Sequence, residues 1–289
     1  MERDTPVERL PSETRLGRLV LHVRSLAMMR DFYRDAIGLS EIGAREGVAQ
    51  MGTDAGLVLE LRERPQAPPR PPRTSGLFHL ALLEPDRAAL AGSLRRLLSA
   101  GARLAGASDH LVSEALYLTD PEGNGIEIYR DRPADQWHWI AGEVEMATLP
   151  LNLESLLADD DDRGARSQAT LGHVHFNVSD LEVGRSFYSE LVGFDVTAAG
   201  YPGALFVSAG GYHHHIGMNT WSGNGIPAPP AGALGIAELT VVLPDAGSID
   251  SLQHRLGEAG VHATRDRGSL LVEDPFGIAL RFADGDDLD

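Results

Sequence analysis

The chain has 289 residues, 43% of them apolar, which is enough for two ordinary domains with their own cores. Its formal charge of −17 is spread over single Asp and Glu residues, which argues against nucleic acid or an anionic membrane as the main partner. The absence of cysteine excludes disulfides, thiolate metal sites, iron–sulfur clusters and a cysteine nucleophile, so any metal must be held by His, Asp or Glu.

The opening MERDTPVERLPSE is charged and has no apolar stretch of signal-peptide length. No run of about 18 apolar residues occurs, so no membrane span is expected and the default location is the cytoplasm. From residue 16 to 62, LGRLVLHVRSLAMMRDFYRDAIGL begins as a strand and continues after a turn as a helix with the pair Phe32-Tyr33 and a closing Gly38. The connector RERPQAPPRPPRT is too rich in proline for helix or central strand. Residues 76–130 run from an alternating strand, LFHLALLEPD, through a helix to the strand YLTDPEGNGIEIY. The stretch 131–170 contains the acidic run LADDDDRGARSQ and reads as the joint between two halves. Residues 171–222 repeat the first design in LGHVHFNVSDLEVGRSFYSELVGF, with Phe187-Tyr188 and Gly193, and Ser179 followed by Glu182 has capping-box spacing. After the Gly and Pro punctuation of SGNGIPAPPAGALG, residues 235–283 repeat the second design, from AELTVVLPD to LVEDPFGIALRF.

Four such units, with the FYxxxxG helix and the DPxGNxIE strand, resemble the vicinal oxygen chelate superfamily over nearly the whole chain. The runs DHLVSEALYLTDPEGNGIEIYRDRP and ALFVSAGGYHHHIGMNTW look like its catechol 2,3-dioxygenase branch. The resemblance implies an α+β fold in which four βαβββ modules pair into two cupped mixed β-sheets flanked by helices. In chain order it implies an N-terminal domain 1–130 (modules 16–62 and 76–130), the acidic connector 131–170, and a C-terminal domain 171–289 (modules 171–222 and 235–283).

In the superfamily, metal ligands come from the first and last strands of each unit. Counting back from the turn that ends each first strand, the ligand position falls on Arg18, His79, His173 and Glu238. The last-strand position is Glu127 in unit two and Arg281 in unit four. Extradiol enzymes need two His and one Glu, and a cation at a ligand position opposes metal binding. The complete set is therefore His79, Glu127 and His173, which requires units two and three to pair across the connector and leaves units one and four to each other.

Two imidazoles and a carboxylate suit Fe(II), and Mn(II) fits the same donors. The resemblance then implies a dioxygenase that opens a catechol-like aromatic diol with O₂. Such chemistry needs acid–base groups, for which Tyr117, His110 and the run His213 to His215 are candidates. Alternation sends His213 and His215 to one face of the last strand of unit three and His214 to the other. His214 or His215 is favoured over His213. His22 and His175, at non-ligand strand positions, read as packing or surface groups, the Phe-Tyr pairs as core, and Asp120 to Gly125 as a turn. Two other readings share the fold: a glyoxalase-like isomerase or lyase with a fourth protein ligand, and a non-catalytic sequestering protein that needs no metal. A homodimer is the default assembly.

Overall fold

The computed structural model describes residues 7–160 and 166–285, so residues 161–165 of the acidic run and residues 1–6 of the charged N-terminus lie outside the described residues. Unit one comprises β1 (Arg15–Val23), α1 (Leu26–Phe32) continued by a wider turn Tyr33–Ile37, β2 (Ser40–Arg45), β3 (Val48–Thr53) and β4 (Gly56–Glu63). Unit two comprises β5 (Gly76–Glu84), α2 (Arg87–Ser99), β6 (Gly106–Asp109), β7 (Ser113–Thr119) and β8 (Gly125–Asp131). The stretch between the halves is more than a joint, because it carries the hairpin β9 (Trp139–Ile140) and β10 (Glu143–Val144), the short strand β11 (Leu149–Pro150) and α3 (Leu153–Leu157).

Unit three has β12 (Thr170–Asn177), α4 (Leu181–Arg185) with its continuation Ser186–Val192, β13 (Asp195–Ala198), β14 (Ala204–Ser208) and β15 (Ile216–Asn219). Unit four has β16 (Gly235–Val242), α5 (Ala246–Glu258), β17 (Ala263–Asp266), β18 (Ser269–Glu273) and β19 (Ala279–Ala283). The helix of each unit opens on a side chain that accepts from its first turn: Ser25, Asp86, Asp180 and Asp245. In unit three the cap is therefore Asp180, one residue beyond the Ser179 suggested by capping-box spacing. Its carboxylate takes the amides of Glu182 and Val183.

Two mixed sheets result. One runs β17-β18-β19-β16-β1-β4-β3-β2 and joins units four and one; the other runs β11-β6-β7-β8-β5-β12-β15-β14-β13 and joins units two and three. Both joints are antiparallel pairs of first strands, β1 with β16 and β5 with β12. Each sheet thus takes one unit from each half of the chain, as the ligand set requires.

Period-2 alternation settles which residues enter the core. On β5, Leu80 and Leu82 face inward, as do Ile126 and Ile128 on β8 and Val174 and Phe176 on β12. They share one continuous core with Leu19, Leu21, Leu59 and Leu61 of the other sheet. Each such side chain contributes about 1.5–3 kcal/mol on burial. The intervening residues, among them His79, Glu127, His173 and His175, project from the other face of the sheet. Tyr33 and Tyr188, the expected core aromatics, are fully buried and donate their hydroxyls to Asp120 and Asp274 of the Asp-Pro turns. No helix among the described residues is long and apolar enough to cross a membrane.

Candidate metal centre

Neighbouring strands β8, β5 and β12 bring Glu127, His79 and His173 together on that outer face. The β5–β12 register shifts between Leu171 and His173, and one potential ligand atom from each of the three residues lies within 4.8 Å of the other two. His79 Nε2 is 3.1 Å and His173 Nε2 3.2 Å from Glu127 Oε2. All three side chains are buried. Although close, His79 Nε2 is not aligned with the carboxylate as a hydrogen-bond donor and is left without a partner, as is His173 Nδ1. Burying such atoms unpaired is costly, and a cation between the three groups removes that cost at His79 Nε2. The donors therefore fit a divalent metal.

Electrostatics agree with that fit. Burial acts to raise the Glu127 carboxyl, but the adjacent His173 and His79 outweigh it and hold it well below the usual carboxylate range. Burial brings His173 down to about 4, against the pull of Glu127. A carboxylate beside a neutral His173 imidazole is the protonation state that metal binding needs.

Strand register identifies a fourth position. On β8, Glu127 stands opposite Ala81, two residues beyond His79; by the same step, Gly217 on β15 stands opposite His175, two residues beyond His173. The last strand of unit three was expected to carry the His run. It presents glycine at this fourth position, because the His run lies in the bend that precedes β15. A Cβ on Gly217 would lie 3.0 Å from His175 Cγ, so the imidazole of His175 already fills the space beside the backbone. In the other sheet the corresponding four positions are Arg18, Glu60, Glu238 and Arg281. Arg281 binds Glu238 through Nε at 2.9 Å and Nη2 at 3.1 Å, and Arg18 lies 3.9 Å from Glu60 and 4.0 Å from Glu238. Two cations neutralise two anions there, where the first sheet keeps two imidazoles and one carboxylate.

A cavity of about 450 Å³ opens over the three residues. Phe78, Phe206 and Trp221 supply apolar wall, and Met146, Ala147 and Thr148 of the connector close one side. Tyr117 and His110 both line it. His110 Nδ1 lies 2.7 Å from the Ala147 carbonyl, which can only accept, so Nε2 is the acceptor for the Tyr117 hydroxyl at 2.6 Å. Burial, and then the charge of Glu127, push the Tyr117 phenol well above its ordinary value, so it stays protonated.

The His run divides as alternation suggests. His214 lines the cavity, its ring centroid 4.2 Å from that of His173. His215 is turned away: its Nδ1 accepts from the Ala209 amide and its ring lies against Tyr212, which removes it from the catalytic candidates. His213 is fully buried behind the site, where its ring lies 5.2 Å from that of Trp137.

His175 was assigned to packing or surface and instead faces the cavity. It is buried beside His79 with its Nε2 unpartnered, and burial drives it well below the usual imidazole range. The signal was present in His-Val-His, since strand period 2 puts His175 on the face of His173. His22 is half-buried and lies outside this cavity. Trp221 lines it, Trp137 packs behind it, and Trp139 is exposed on the hairpin.

Known proteins share this arrangement of units. The Glyoxalase/Bleomycin resistance protein/Dioxygenase superfamily profile matches residues 15–128 and 170–282. A catechol-2,3-dioxygenase of Bacillus subtilis (strain 168) is 41% identical over 271 residues, covering 91% of this chain and 94% of that protein. Among solved structures, a putative dioxygenase from Bacillus subtilis subsp. subtilis str. 168 has a TM-score of 0.64 at 13% identity, over 96% of this chain and 86% of that one. Glyoxalase I from Zea mays has a TM-score of 0.59 at 15% identity, over 95% and 94%. With four repeated units, two cupped sheets and matches across both halves, the chain belongs to the glyoxalase/bleomycin resistance protein/dioxygenase superfamily.

Proposed function

We propose that this protein is an extradiol ring-cleaving dioxygenase that inserts O₂ into a catechol-like aromatic diol, with His79, Glu127 and His173 holding Fe(II). Mn(II) suits the same donors. The observation that carries the reading is the composition of the four register positions: two His, one Glu and, at the fourth, Gly217. Three protein donors leave room for two substrate oxygens and O₂, whereas a fourth carboxylate would favour the isomerase reading. The 41% identity to a catechol-2,3-dioxygenase supports the same choice.

When bound, the metal would supply Lewis acidity that lowers the phenolic pKa and a path for electrons from the diol to O₂. This chain's own residues supply the rest. The Tyr117 hydroxyl, which donates to His110, is placed to accept a hydrogen bond from a diol hydroxyl. His214, whose ring lies against that of His173 and lines the cavity, is placed to take and return a proton. Phe78, Phe206 and Trp221 orient the ring and exclude water from it.

One experiment measures metal content and O₂ consumption on the same sample, with catechol and substituted catechols under air. The expected result is about one equivalent of iron per chain, O₂ uptake and a yellow ring-opened product. His79→Ala and Glu127→Ala should lose both metal and uptake. Absence of uptake across a broad diol panel with metal demonstrably bound would sink the proposal. Diol binding that persists without any metal would favour a sequestering protein.

A further inference from the structure

Behind the cavity, three side chains form a hydrogen-bonded line that ends on His214. Strand β8 carries Glu127, Tyr129 and Asp131 on one face, so the strand that supplies the carboxylate of the metal centre also supplies Asp131 four residues on. Asp131 Oδ1 lies 2.8 Å from His213 Nε2, and His213 Nδ1 lies 2.8 Å from His214 Nδ1. Asp131 Oδ2 accepts from the Tyr212 hydroxyl at 2.9 Å, and the Tyr212 hydroxyl oxygen is itself 2.7 Å from the Tyr129 hydroxyl. The His213 ring is fully buried and held by Tyr212, Trp137 and Tyr129.

The polarity of this line follows from its end. A carboxylate only accepts, so the proton of His213 sits on Nε2. The second nitrogen of a neutral imidazole is then an acceptor, and it faces His214 Nδ1. That contact requires a proton on His214 Nδ1, which leaves His214 Nε2 unprotonated on the ring edge that borders the cavity.

We propose that Asp131 and His213 are positioning residues that lock His214 into the Nδ1–H tautomer, so that its Nε2 meets the diol as a proton acceptor. The inference rests on the dioxygenase reading for its use, though the tautomer itself can be tested without turnover. In use, the diol hydroxyl gives its proton to Nε2, the oxygen keeps the electron pair, and the same proton returns to the product. Throughout, His214 Nδ1–H stays bonded to His213, so the ring cannot rotate away. The arrangement follows the logic by which a buried carboxylate orients a catalytic imidazole through a hydrogen bond to its far nitrogen, extended here by one intervening imidazole.

The test uses ¹⁵N-histidine-labelled, metal-free protein, with His214 assigned by difference against His214→Gln. Wild type should show a protonated Nδ1 and an unprotonated Nε2 at His214. In His213→Phe and in Asp131→Ala that preference should be lost. His213→Gln should retain it, because the amide can donate to Asp131 and its carbonyl can accept from His214. With metal bound, His213→Phe should lower kcat about a hundredfold with KM changed less than about threefold, and His213→Gln should recover most of it. An Nε2–H tautomer in wild type, or a tautomer unchanged in both His213→Phe and Asp131→Ala, overturns the proposal. Absence of turnover in metal-loaded wild type overturns the dioxygenase reading instead, and the tautomer result stands apart from it. Should His213→Phe not fold, Asp131→Ala decides, since Asp131 is partly exposed at a strand end.

Discussion

Individual residues separate this site from its counterpart in the other sheet. Gly217 is the sharpest case, because its lack of a side chain leaves the fourth register position without a donor and lets His175 lie across the backbone. Gly217→Ala should cost about 1–3 kcal/mol through overpacking. A lowered denaturant midpoint, relieved in Gly217→Ala/His175→Ala, is the expected measurement. A second prediction concerns Asp274, whose carboxyl burial pushes up to about 6 despite the Phe276 and Ile278 amides and the Tyr188 hydroxyl. Its folded pKa lies above the unfolded value, so its stabilising contribution is complete below the unfolded pKa of 3.8 and is lost as pH rises through about 6. Asp274→Asn does not titrate, and it should therefore gain on wild type by up to about 3 kcal/mol between about pH 4 and pH 7. Denaturant melts of both proteins across that range check the sign.

At the scale of elements, the first strand of each unit sets chemistry and packing together, since alternate residues go to the core and to the outer face. This is why His79, Glu127 and His173 were legible in the sequence: a fixed distance from the capped turn, combined with period 2, fixes a face. The His run was less legible because it lies in a bend, where strand periodicity gives facing but not contacts. The connector was the least legible element. Its polar composition hid a hairpin whose Glu143 accepts from the Ala199 and Gly200 amides and whose following residues wall the cavity. Glu143→Ala should free that hairpin, with amide exchange at Ala199 and Gly200 rising about ten- to a hundredfold. The global denaturant midpoint should hardly move. KM for the diol should rise, because Met146, Ala147 and Thr148 line the cavity.

For the whole molecule, the pairing of units two with three and one with four ties the halves together twice. Each half expressed alone, 1–150 or 166–289, would expose the pairing edge of two first strands, β1 and β5 or β12 and β16. Neither half alone should be soluble and metal-binding, whereas co-expressed halves should reassemble with the metal bound. Size-exclusion chromatography with metal analysis of the eluted species checks this.

The sequence by itself determined the repeat, the strand faces and the face shared by His79, Glu127 and His173, because capping, turn chemistry and period-2 alternation are local and can be counted along the chain. It did not determine what lies behind or beside those donors. Asp131, His213 and His214 align, and Gly217 faces His175, only because strands from different halves share one sheet. Those relations depend on register between strands distant in sequence, and tertiary packing alone sets that register.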